Sequence, residues 1–133
     1  MLAAIPLLIL PFAIYNLAMI GMFGGLAGLN ADMVSLSMLS GATWTMRFGD
    51  LLIVGALLLL FVELLKATRT SSRALMDYLL SMILFIVFLI EFLLLAPAAT
   101  QLFFILMTIS FIDVIAGFAV SMRSAGRDVS IGL

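Results

Sequence analysis

Five ionisable side chains lie where hydrocarbon is expected to surround them: Glu63, Lys66, Asp77, Glu91 and Asp113. Insertion scales put a charged residue at the centre of a membrane helix at about 2.5–3.5 kcal/mol, so each must face protein or water and not lipid. Two kinds of chemistry suit such a set. Carboxyls on facing helices can pass a proton or small cation through a bundle, or they can join helices by hydrogen bonds. Helical spacing puts each acid on a small or polar stripe. Ser110, Asp113, Gly117, Ser121 and Ser124 step by three or four residues along one face. Asp77, Ser81, Leu84, Phe88 and Glu91 do the same on another, and Ala56, Glu63, Lys66, Ala67 and Thr70 fall together on a third.

Depth then predicts partners. Lys66 and Asp77 flank one short link at similar distances, and Glu63 precedes Lys66 by three residues, so the three can share one ammonium. Glu91 lies about 9 Å below the end of its span, within reach of Arg47 or of nearby loop backbone. Asp113 sits roughly 15–20 Å from either end of its span with no basic residue at its level. It is expected to be protonated, or hydrogen-bonded to Thr108 or Ser110. Glu63, Lys66 and Asp77, near a membrane boundary, read as structural; Asp113 and Glu91 are the stronger candidates for a proton or cation relay.

Catalysis finds little else to work with. The chain has 133 residues with no cysteine and no histidine, which removes disulfides, thiol chemistry, Ser-His-Asp triads and the usual zinc and haem ligand sets. The ten methionines show no clustered motif and read as packing residues, so no metal or other cofactor is expected. "RFGD" (47–50) lacks the first glycine of the GxGD pattern of intramembrane aspartyl proteases, and Asp50 lies some 20 Å from Asp113 in depth. No GxSxG, P-loop or dinucleotide fingerprint occurs, and "SAGRD" reads as a flexible basic tail. A non-enzymatic protein is expected.

The elements that must hold these residues are membrane helices. The chain is 66% hydrophobic and 10% charged, against about half and a quarter in an average globular domain. A net charge of −1 gives no sign of nucleic-acid binding. Four stretches approach the ~20 residues that cross ~30 Å of hydrocarbon: about 3–22, 51–67, 75–96 and 101–122. The first has no basic leader, so no cleaved signal peptide is expected, and Pro11 predicts a kink in its inner half. Gly21, Gly24, Gly25 and Gly28 at its outer end make two GxxxG spacings that would let helices approach closely. Asp50 is a candidate N-cap for the second span and Thr100 for the fourth, and Pro97 stops the third. Only "PAAT" separates the third from the fourth, so these two are antiparallel neighbours. Lys66, Arg69 and Arg73 flank the link at 68–74, and Arg123 and Arg127 lie in the tail at 123–133, while Arg47 alone lies opposite. The positive-inside rule therefore puts both termini and that link in the cytoplasm.

The outer loop, 29–49, alternates apolar and polar residues on both sides of Ser40-Gly41. That period predicts a β-hairpin. A three-residue loop at 40–42 would pair Met38 with Trp44, Leu36 with Met46 and Val34 with Phe48, giving one apolar face with Trp44 as an interface anchor.

The segments "LLFVELLKATRTS", "GATWTMRFGDLL" and "IDVIAGFAVSMRSAGRD" resemble an uncharacterised family of small four-span bacterial inner-membrane proteins, over most of the chain. The resemblance implies a single four-helix transmembrane domain and a bacterial membrane, and carries no activity. The layout is also similar to the claudin-like tetraspans, whose paired loop cysteines are absent here. Beyond the lipid bilayer, the expected partner is a second copy or another membrane protein, reached through helix faces that include Gly117 and Ser121. The alternative is an oligomeric channel or proton-coupled carrier using Asp113, Glu91 and Glu63.

Overall fold

A computed structural model describes the backbone of residues 5–67 and 72–132, and the side chains within those ranges except at 67, 72–75 and 120–132. Helix α1 (Ile9–Met19) is followed by a 3₁₀ turn at Met22–Gly24 and a single helical turn, α2 (Gly25–Gly28). Strands β1 (Asp32–Ser37) and β2 (Thr43–Arg47) form an antiparallel hairpin. Three long helices complete the chain: α3 (Phe48–Ala67), α4 (Ser72–Leu94) and α5 (Gln101–Gly132), with a 3₁₀ turn at Ala96–Ala98 between the last two. All three are long and apolar enough to cross a membrane, and α1 with the following turns counts as a fourth span only as a bent pair, broken by 86°.

That break corrects two expectations. Pro11 does not kink the first helix, because α1 begins only at Ile9. Pro11 therefore lies in the first turn, where a missing N–H leaves no ladder bond unmade. The chain turns at the other end instead. Gly21, Gly24 and Gly25 have φ of 105°, 82° and 74°, a region glycine enters without steric cost. Phe23 between them also has positive φ. The four glycines thus fall across a helix break, not along one helical face. At Gly28 a Cβ would overlap the Phe23 carbonyl, so this glycine permits a close backbone approach.

The hairpin forms, in a register two residues from the expected one. Leu36 faces Trp44 and Val34 faces Met46. The three-residue loop is 39–41, closed by Met38 N–H donating to the Ala42 carbonyl (2.7 Å) and Gly41 N–H to the Met38 carbonyl (3.0 Å). Such loops combine a type I turn with a residue in the left-handed region. Gly41, at φ 91°, takes that place; a loop at 40–42 would have assigned it to Ala42. From Val34 to Ser37 a shift of two preserves the face of each side chain, so the apolar face survives, and the ladder slips by one residue between Asp32 and Val34.

At the start of α3, Phe48 and Gly49 N–H donate to the carbonyls of Ala31 (2.9 Å) and Leu29 (2.8 Å). Asp50 is not the N-cap: the helix begins two residues before it, and its Oδ2 accepts from Arg47 N–H at 3.1 Å, as the acid of a capping box does. Thr100 does cap α5, its Oγ1 accepting from Phe103 N–H at 3.2 Å. Helix α4 starts earlier than expected, at Ser72, and α5 continues past 122 to Gly132.

Helix α5 is the central element, packing more extensively on α3 and on α4 than these pack on each other. The core joins Tyr15, Leu52, Ala56, Leu60, Leu84, Phe88, Phe103 and Leu106. Aromatic rings link its layers: Phe12 to Phe88 (4.7 Å between centroids), Phe88 to Phe103 (5.2 Å) and Tyr15 to Phe103 (5.0 Å).

Candidate functional site

Three helices and the segment before α1 converge on Lys66. Its side chain is 12% exposed, and an ammonium taken from water needs acceptors for three N–H groups. It has three: Glu63 Oε1 at 3.0 Å, Asp77 Oδ1 at 3.4 Å and the Ile5 carbonyl at 2.9 Å. Glu63 Oε1 also accepts from Leu7 N–H at 2.7 Å. This amide lies just before α1 and Pro6 precedes it, so no helical carbonyl serves it. The polar cluster thereby pins the start of the first helix to the C-terminal end of α3 and the N-terminal part of α4.

Asp113 enters the same neighbourhood from α5. It is 6% exposed, within electrostatic reach of Glu63, Asp77 and Lys66, and hydrogen-bonded to Ser81 on α4. Neither expected hydroxyl partner serves it. Thr108 Oγ1 donates to the Phe104 carbonyl of its own helix at 2.9 Å, and buried Ser110 Oγ has no partner. Ser81 lies on the stripe between Asp77 and Glu91 in the sequence, so the signal was present; the pairing needs the α4–α5 register. Glu63 and Asp77 thus bring two carboxyls onto one ammonium, with the Asp113 carboxyl in their electrostatic field. No group of three such residues is arranged to hold a metal ion among the described residues.

Glu91 stands apart. It meets neither Arg47 nor the hairpin backbone; the Asn16 amide of α1 hydrogen-bonds to its carboxyl, and its buried Oε1 has no partner. Arg47 instead lies 4.0 Å from Asp32 at the base of the hairpin. Sequence reasoning missed a second polar tie, between α1 and the turn before α5. The Tyr15 hydroxyl donates to the Pro97 carbonyl (2.9 Å) and lies 2.7 Å from Thr100 Oγ1. A phenol inside an apolar helix needs such a partner, and Tyr15 could have been marked on that ground.

Of the packing candidates, Gly117 lies against Tyr78, whose Cδ2 would be 3.2 Å from an added Cβ. The Ser121 side chain lies outside the described residues. Trp44 projects from the exposed apolar face of the hairpin beside Leu36. An apolar groove of about 310 Å³ lies between α1 and α3 along Pro11, Ile14, Leu52 and Gly55. A second cavity, at the opposite end of α3 from Lys66, is polar. Neither is lined by any of the five intramembrane ionisable residues. No family model, curated protein or solved structure matches the chain.

Proposed function

We propose that the chain is a non-enzymatic integral protein of a bacterial inner membrane, crossing it four times with both termini cytoplasmic. It acts by helix–helix association, as a homo-oligomer or an accessory subunit of a membrane complex. The observation that carries this reading is how the buried acids are used: Glu63 and Asp77 on Lys66, and Asp113 on Ser81. These contacts join helices within one chain. Large apolar side chains remain exposed on every long helix, among them Leu58, Ile83, Leu93 and Phe111, which suits lipid and partner helices as surroundings. Two ties support a first crossing. Leu7 meets Glu63 near the inner end of the bundle, and Tyr15 meets Pro97 and Thr100 at the outer end. At ~1.5 Å per residue the segment 7–15 covers about 12 Å of that depth.

A second reading, proton or cation transport, draws on the grouping of Glu63, Asp77 and Asp113 near Lys66 and on the unpartnered Glu91 Oε1 and Ser110 Oγ. Reconstitution in liposomes separates the two. Association predicts no flux, and purification in mild detergent as a multimer or with a fixed partner. A proton or cation flux that disappears in Asp113→Asn would replace it with the transport reading.

A further inference from the structure

The polar cavity opens where β2, the loop at 29–30 and the first turns of α3 and α5 meet, and encloses about 450 Å³. Its walls change character with depth. Asn30, Arg47, Asp50 and Gln101 lie at one level, where Leu29 and Leu102 also line it, and only the apolar Ile53 and Ile105 lie about one helical turn further along α3 and α5. One turn is about 5.4 Å, so the polar-to-apolar change follows the membrane normal on two neighbouring helices. At the start of α3 three backbone donors are already engaged, Phe48 and Gly49 by loop carbonyls and Arg47 N–H by Asp50. Charge recognition falls to side chains. The Arg47 guanidinium has one ion-pair contact, to Asp32 at 4.0 Å, with both side chains mostly exposed. Asp50 uses one carboxylate oxygen to cap, leaving the other for a ligand.

We propose that this cavity seats the headgroup of a zwitterionic phospholipid, its phosphate on Arg47, its ammonium on Asp50 and its first methylenes on Ile53 and Ile105. This rests on the reading that the chain spans a membrane. A guanidinium and a carboxylate three residues apart match a headgroup carrying both signs. A purely anionic headgroup would face Asp50 and Asp32 against one guanidinium, and a ligand without chains would leave the apolar floor unused.

The test is native mass spectrometry of the delipidated full-length protein, released from mild detergent. It is titrated with phosphatidylethanolamine, with phosphatidylglycerol of the same chains, and with soluble glycerophosphoethanolamine. The wild type should bind phosphatidylethanolamine about tenfold more tightly than phosphatidylglycerol, and the soluble headgroup weakly. Arg47→Gln should reduce phosphatidylethanolamine binding about tenfold. Asp50→Asn, which keeps an oxygen for the cap, should abolish the preference between the two lipids. Leu58→Ala, on an exposed face of α3, should behave as wild type. Equal binding of both lipids by the wild type, or undiminished phosphatidylethanolamine binding in Arg47→Gln, overturns the assignment, as does a soluble headgroup that binds as tightly as the whole lipid. A chain that stays in solution without detergent would instead overturn the membrane reading itself.

Discussion

At the scale of single residues, the polar groups are matched in number where they meet. Lys66 has three donors and three acceptors, so removing it strands two carboxyls at once. Breaking a buried ion pair from one side costs about 3–5 kcal/mol. Lys66→Met should therefore destabilise the detergent-solubilised protein by that order in an unfolding titration. Adding Glu63→Gln and Asp77→Asn to Lys66→Met should recover much of the loss, and no recovery would mean that Lys66 acts outside the cluster. Asp113 gives a second contrast. Asn at 113 can still hydrogen-bond to Ser81, so Asp113→Asn should keep nearly wild-type stability. Ser81→Ala leaves a buried carboxyl without that partner and should cost about 1–3 kcal/mol. A larger loss in Asp113→Asn than in Ser81→Ala would contradict this account.

Among the elements, the hairpin shows how local rules compete. Alternation predicted two strands and an odd loop, but parity cannot distinguish registers two residues apart. The conformational demand of one loop position decides it, through Gly41. Left-handed backbone costs a non-glycine residue roughly 1–2 kcal/mol. Gly41→Val should therefore unpair the strands and shift Trp44 fluorescence to the red, while Ala42→Gly should leave it unchanged. The reverse pattern would restore the loop at 40–42. The same physics explains α1. Hydropathy marks a continuous apolar stretch over 3–22, and it carries no information on backbone sign; the positive φ values at Gly21, Gly24 and Gly25 do. The three long helices were legible because length and apolarity suffice to identify them. The Lys66–Glu63–Asp77 grouping was legible because equal depth about a short link forces proximity. Ser81 with Asp113, Asn16 with Glu91, and Tyr15 with Thr100 were not, because each depends on which helix faces which.

For the whole molecule, the distribution of basic residues and the exposed apolar surface must agree on one arrangement in the bilayer. The chain has no cysteine, so single introduced thiols report topology directly. In intact cells Ser40→Cys, in the hairpin loop, should react with a membrane-impermeant maleimide, and Ser130→Cys should react only after permeabilisation. Labelling of both in intact cells would remove the even number of crossings. The central claim is that the protein works by association, and the mass of the assembly released from native membranes tests it most directly. Native mass spectrometry should find twice 14.4 kDa or a higher whole multiple of it, or 14.4 kDa plus one fixed partner. A single 14.4 kDa chain carrying only lipid would contradict it.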